Sequence, residues 1–160
     1  MTADIKPKKT IGHAEEIALP EIGVSEVVAR IDTGARTSAI WVSEAKPTDR
    51  GLEVLFFGPS SPYYSGQPIV FEEFEKVVVA SSNGATEQRF KVKLLVRIAG
   101  RRIRAWFTLA DRSTQVYPIL IGRNVLRGKF IVDVTKGTLV LREAERERTR
   151  LLNQQITEES

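Results

Sequence analysis

Apolar and charged residues alternate most regularly between positions 89 and 98. Phe90, Val92, Leu94, Val96 and Ile98 are interleaved with Arg89, Lys91, Lys93 and Arg97. A period of two belongs to a strand with one buried face and one wet face. Ala99-Gly100-Arg101-Arg102 then reads as a hairpin turn, and Ile103, Ala105, Phe107 and Leu109 as the inward set of the returning strand. Shorter apolar, β-branched runs predict strands at 27–31, 39–42, 52–57, 69–71, 77–80 and 118–121. Two more, at 130–134 and 138–141, flank a tight turn at Lys136-Gly137. Asn83-Gly84 between two apolar runs is a type I′ hairpin signal. Residues 57–67, rich in Gly, Pro and Ser, form an irregular surface loop with two tyrosines.

Helix is scarce in this pattern. Residues 124–127 predict one short turn. Residues 141–156 are the one long candidate, with Glu143/Arg146, Glu145/Arg148 and Glu147/Arg150 at i,i+3 spacing. With so few apolar positions, this segment is either a helix docked on a partner subunit or a frayed tail. Short strands at close spacing, broken by Gly, Pro and Ser, predict an all-β barrel or sandwich. A chain of 160 residues suits one domain over 1–160, with a core at about 10–142 and a charged tail at 143–160. Trp41, Trp106 and Phe107 are expected in the core.

Composition narrows the chemistry. No cysteine is present, which excludes disulfides, cysteine nucleophiles and thiolate zinc sites. His13 is the single histidine, so any mechanism that needs an imidazole must use it. No run of about 18 apolar residues suggests a membrane span. Residues 1–12 are polar and lysine-rich, unlike a signal peptide, and a cytoplasmic location is the expectation. The net charge of +4 is modest and reads first as a solvated surface, although arginines cluster at Arg101, Arg102 and Arg104 and along 142–150.

The most informative stretch is Val28-Ala29-Arg30-Ile31-Asp32-Thr33-Gly34-Ala35. An apolar strand delivers a carboxylate at its end, and a glycine two residues on permits close backbone approach. Thr33 can hydrogen-bond nearby backbone and stiffen the turn. Such a loop suits two aspartates brought face to face. Carboxylates about 3 Å apart cannot both ionise, so one serves as base toward a water while the other, protonated, polarises a carbonyl. Taken alone, Asp-Thr-Gly reads first as an ordinary turn after a strand.

The wider context carries a family resemblance. Ile31-Asp32-Thr33-Gly34-Ala35 resembles the catalytic loop of retropepsins. Pro118-Ile119-Leu120-Ile121-Gly122-Arg123-Asn124-Val125-Leu126 is similar to their second signature, an apolar run and a glycine leading into a short helix. Between the two lies a hairpin, residues 77–92, where a retropepsin has its flap. The order matches over residues 27–134, about two thirds of the chain. The fuller strings, Asp32 to Ile40 and Tyr117 to Arg123, resemble a narrower bacterial family of retropepsin-like aspartic endopeptidases. An older label for that family is ATP-dependent zinc protease, and some members are associated with ATP-grasp ligases that add glutamates to a ribosomal protein.

The resemblance implies a small closed retropepsin-like barrel with a flap hairpin. It implies Asp32 as the catalytic carboxylate, Thr33 as the brace between paired loops, and Gly34 as backbone presented to substrate. Ala35, Arg36, Asn83, Gly84 and Arg123 become candidate substrate contacts. One Asp-Thr-Gly occurs in the chain, and Asp4, Asp49, Asp111 and Asp133 lack a comparable setting. The second carboxylate must then come from a second copy, making a symmetric homodimer a requirement of the mechanism. Many retropepsins carry an acidic residue where this chain has Arg36, so either the cleft gains positive charge and favours an acidic or Glu-rich peptide substrate, or Arg36 pairs with an acidic neighbour and has no part in substrate choice.

Neither half of the older label is supported by the sequence. Zinc hydrolysis needs about three protein ligands, which one histidine and no cysteine supply poorly. No phosphate-binding Gly-x-x-x-x-Gly-Lys-Ser/Thr is present, so any ATP would belong to a ligase partner. No cofactor is expected. The alternative is a catalytically silent barrel that recognises an acidic tail or a ligase through Arg36, Arg101, Arg102 and Arg104. A nucleic-acid role has only the positive charge behind it, with no interleaved aromatic and basic platform for stacking bases.

Overall fold

The longest strand, of 13 residues, is the one that the alternation marked. The computed structural model describes residues 6–80 and 83–159. Its strands are β1 (Lys9–Ile11), β2 (Ala14–Leu19), β3 (Val24–Ile31), β4 (Ser38–Thr48), β5 (Gly51–Phe56), β6 (Ile69–Phe71), β7 (Phe74–Ala80), β8 (Thr86–Ile98), β9 (Arg101–Ala110), β10 (Ile119–Ile121) and β11 (Phe130–Val132). Helix α1 (Arg123–Leu126) follows β10, and α2 (Thr138–Glu159) follows β11.

Hydrogen bonding runs β10-β3-β2-β8-β9-β4 and returns from β4 to β10. Six strands thus close on themselves, which leaves no free edge around the ring. β8 and β9 pair in antiparallel register, Val92 opposite Phe107, Leu94 opposite Ala105, Val96 opposite Ile103. The predicted inward set is buried there, and Ile40, Ile119 and Ile121 from the far side of the ring meet it in the same core. β5 and β6 extend outward from β4. β7 pairs with the first half of β8 and forms the expected flap hairpin.

Several sequence expectations are corrected. Residues 138–141 are not a return strand but the start of α2. β11 pairs with β1 in parallel, so no hairpin partner is required. The apolar run is continuous with the Glu/Arg-rich segment behind it, and a nucleated helix gains one hydrogen bond for each residue added. Of Asn83 and Gly84, only Gly84 has positive φ (85°), so the flap tip is not a type I′ turn on that pair. Ala80 pairs with Thr86, and the connection is a longer loop in which Asn83 Oδ1 accepts from Ala85 N–H at 3.1 Å. Ser81 and Ser82 of the same loop lie outside the described residues. Trp106 is half-buried on the outer face of β9, with Lys91 and Lys93 Nζ 5.0 and 5.1 Å from its ring centroid. Trp41 and Phe107 are core, as expected.

The barrel is tightest where β10 threads between β3 and β4. Ile121 pairs with Ile31 in parallel, and Ile119 pairs with Ile40 in antiparallel register. Gly122 then passes directly beneath the loop that links β3 to β4. A Cβ on Gly122 would collide with the Thr37 carbonyl oxygen and come within 2.9 Å of the Ala35 oxygen, both rigid backbone atoms. Gly122→Ala is therefore expected to destabilise the fold by about 3 kcal/mol, the upper end of ordinary overpacking. Ile156→Ala, on an exposed position of α2, should stay within about 0.5 kcal/mol. Urea unfolding of both variants checks the pair.

Candidate active site

Asp32 is the first residue past β3, and its position is set by backbone. Its N–H donates to the Ile121 carbonyl at 2.8 Å, which locks the loop to the threaded strand β10. Its Oδ1 accepts from Gly34 N–H at 2.9 Å, and Ala35 N–H donates to the Asp32 carbonyl at 3.3 Å. These bonds orient one carboxylate edge and leave Asp32 half-exposed. A Cβ on Gly34 would lie 3.3 Å from Asp32 Oδ1, so glycine keeps the carboxylate uncrowded.

A buried polar network supports the loop from below. Gly122 N–H donates to Ser38 Oγ at 3.0 Å, and Ser38 Oγ donates to Asn124 Oδ1 at 2.8 Å. Asn124 Nδ2 donates to the Trp106 carbonyl at 2.8 Å. Arg123 N–H and Asn124 N–H donate to the Ala35 and Arg36 carbonyls at 2.8 and 3.2 Å. Ser38 is fully buried and saturated, and a saturated buried network rigidifies the elements it joins. Ser38 and Asn124 were missed as supporting residues by the sequence reading. The motif placed them correctly but offered no signal that they would meet.

Thr33, Gly34, Arg36, Thr37 and Arg123 form an exposed strip around Asp32. The Arg123 guanidinium reaches the Thr33 carbonyl only at 3.5 Å. Neither Arg36 nor Arg123 has a carboxylate within ion-pair distance among the described residues. Asn83 and Gly84 lie at the exposed flap tip, and no hydrogen bond joins them to Asp32 among the described residues.

Two further arginines enter the site. Asp111-Arg112-Ser113 reads in the sequence as a surface turn, and it is one, with Asp111 Oδ1 accepting from Ser113 N–H at 2.9 Å. That bond holds the Asp111 carboxyl below its usual range. Arg112, however, turns inward, and its Nε donates to the Tyr117 carbonyl at 3.0 Å. Burial lowers the Arg112 pKa, the neighbouring Arg89 lowers it further, and Asp32 works in the opposite direction. Arg112 is thus within electrostatic reach of both the Asp32 carboxylate and Arg89 on the flap strand β8, where Arg89 is paired with Glu87 at 3.2 Å. By contrast, Arg104 is committed to Glu21, at 2.8 Å, and Arg101 to the Pro7 carbonyl, at 2.6 Å. Two of the arginines offered for the silent-barrel alternative are therefore engaged within the chain.

His13 lies beside Asp32 and lines the same depression of about 310 Å³ with Arg30, Ile31 and Thr33. Its carbonyl accepts from Ile31 N–H at 2.9 Å, and its Nε2 is buried without a partner. No group of three or more His, Cys, Asp or Glu side chains among the described residues is placed to share a metal ion. The donor set near Asp32 does not fit a hydrolytic zinc centre.

Comparison with known proteins follows the same geometry. A family model described as "RimB-like: Retropepsin-like aspartic endopeptidase RimB" matches residues 10–143. A protein of Shewanella pealeana named "Probable alpha-L-glutamate ligase" is 31% identical over 134 residues, covering 81% of this chain and 29% of that protein. A protein of the same name from Desulfotalea psychrophila is 28% identical over 137 residues, covering 83% of this chain and 29% of that one. The chain thus spans less than a third of the length of these curated relatives. A crystal structure of a Legionella pneumophila protein of unknown function superposes with a TM-score of 0.53 at 16% identity, covering 81% of this chain and 95% of that one, which shows a shared fold. The chain belongs to the RimB-like family of retropepsin-like aspartic endopeptidases.

Proposed function

We propose that the chain is an aspartic endopeptidase that acts as a homodimer, with the attacking water held between two copies of Asp32. The observation that carries this reading is the backbone clamp on Asp32. Its amide is tied to Ile121, its Oδ1 faces Gly34 N–H, and the surrounding strip is left exposed for a second copy. In such a pair one carboxylate is ionised and removes a proton from the water. The other is protonated and hydrogen-bonds the scissile carbonyl oxygen. Water attack gives a tetrahedral diol. Proton transfer to the amide nitrogen then lets the C–N bond break and returns the shared proton to the dyad. The Thr33 hydroxyl makes no hydrogen bond among the described residues, which suits a brace that reaches the partner's loop.

Charge supports an acidic peptide substrate. Arg36 and Arg123 flank Asp32 without carboxylate partners among the described residues, and Arg112 is close enough to feel the Asp32 charge, whereas Arg89 is engaged by Glu87 at 3.2 Å. The flap would close over the substrate and exclude water, with Asn83 and Gly84 at its tip. A second reading, a silent module serving a ligase, is favoured by one observation. The relatives named as glutamate ligases contain this region as under a third of their length. No helix among the described residues is long and apolar enough to cross a membrane. A cytoplasmic site of action belongs to the same proposal.

Cleavage of a mixed peptide library that includes Glu-rich sequences tests the mechanism. Activity should persist in EDTA and fall at least about a hundredfold in Asp32→Asn. A metal-dependent activity, or an Asn variant as active as the wild type, would refute it, and a wild type inert toward every peptide would favour the silent module. Arg36→Glu should lower cleavage of Glu-rich relative to neutral peptides by about fivefold, since an exposed charge pair is worth up to about 1 kcal/mol. An unchanged preference would remove the charge argument.

A further inference from the structure

Helix α2 does not lie free on the barrel. Between it and the outer face of β3, β4 and the 115–118 segment is a cleft of about 240 Å³. Its walls are mainly apolar and aromatic, with Val27, Val28, Trp41, Tyr63, Tyr117 and Leu151 contributing. One charged group lines it without a counter-ion. Arg148 is only 8% exposed, its Nε donates to the Gln115 carbonyl at 2.9 Å, and its guanidinium stacks 5.1 Å from the Trp41 ring centroid. Its Nη2 is buried and has no hydrogen-bond partner.

The neighbouring carboxylates do not compensate it. Glu145 accepts from the Tyr117 hydroxyl at 3.2 Å, and Glu147, which also lines the cleft, is paired with Arg150 at 2.6 Å. Burial alone lowers the Arg148 pKa, with no carboxylate acting against it. A desolvated guanidinium without an anion is costly, and proteins retain such groups where an anion completes them. The family match ends at residue 143, before the turn of α2 that carries Arg148. The barrel face is thus common to the matched region, whereas the arginine that closes the cleft lies beyond it.

We propose that this cleft binds a small amphiphilic carboxylate, with its head on the Arg148 guanidinium and its apolar body against Trp41, Tyr117 and Val28. A single planar cation suits one carboxylate. The apolar walls offer little to a multiply charged phosphate and match a hydrocarbon or single-ring body. The volume lies just below the range of about 300–1,000 Å³ typical of drug-sized ligands, which limits the ligand to a short acid. The site is independent of the peptidase reading, since none of its residues belongs to the Asp32 loop.

Octanoate and its neutral counterpart 1-octanol are the probes, read by Trp41 emission in a Trp106→Phe background that leaves one tryptophan. Saturable octanoate binding at millimolar concentration or below is expected, at least about tenfold tighter than 1-octanol. Arg148→Met should abolish that difference while leaving octanol binding in place. It should also fold, because replacing an uncompensated buried charge with an apolar chain of similar length is often neutral or stabilising. If it does not fold, the comparison of the two probes on the Trp106→Phe protein alone decides. Equal affinity for the two probes, no saturable octanoate binding, octanoate binding unchanged by Arg148→Met, or displacement of octanoate by equimolar inorganic phosphate would each overturn the proposal.

Discussion

Everything at the candidate active site depends on one close approach, the passage of Gly122 beneath the carbonyls of Ala35 and Thr37. With no side chain in the way, β10 can sit between β3 and β4 and close the barrel. The same passage brings the Ile121 carbonyl to the Asp32 amide and the Gly122 amide to Ser38 Oγ. Closure of the fold and placement of the carboxylate are therefore a single event. A residue that loosened the crossing would cost stability and active-site geometry together, because the backbone that seals the core is the backbone that holds Asp32.

Charge is arranged around that fixed point in two layers. Arg36 and Arg123 stand on the exposed strip, while Arg112 approaches from the loop after β9 and Arg89, on the flap strand, is paired with Glu87. The 111–117 loop is held at both ends of this scheme. Arg112 grips its Tyr117 carbonyl from the Asp32 side, and Arg148 grips its Gln115 carbonyl from beneath α2. One loop is thus gripped by two arginines, and its Gln115 and Tyr117 line the cleft beneath α2.

The parts of the fold legible in the sequence were those governed by local period and by motif. The alternation from Phe90 to Ile98 and from Ile103 to Leu109 gave the register of β8 and β9, because each apolar position faces one core. The Asp32 and Gly122 motifs marked two segments that the structure brings together, because their geometry is backbone geometry. Strands β1 and β2 were not legible. In Ala14-Glu15-Glu16-Ile17-Ala18-Leu19 the buried positions are Ala14, Ile17 and Leu19, and the spacing of three between Ala14 and Ile17 breaks the period of two. Residues 138–141 misled in the opposite sense, since β-branched, apolar composition yields to a helix already favoured on its C-terminal side. Arg112 and Arg148 were illegible for a different reason. Each is one of many arginines, and only tertiary contact distinguishes a buried guanidinium from a solvated one.

The central claim is that two chains, each contributing one Asp32, make one active site. Wild-type and Asp32→Asn chains, mixed in denaturant at several ratios and refolded together, test it most directly. Peptidase activity per total chain should fall as the square of the wild-type fraction, because a mixed pair holds one aspartate and cannot share a proton between two. A fall in direct proportion to the wild-type fraction would show that a single chain suffices, and would contradict the account.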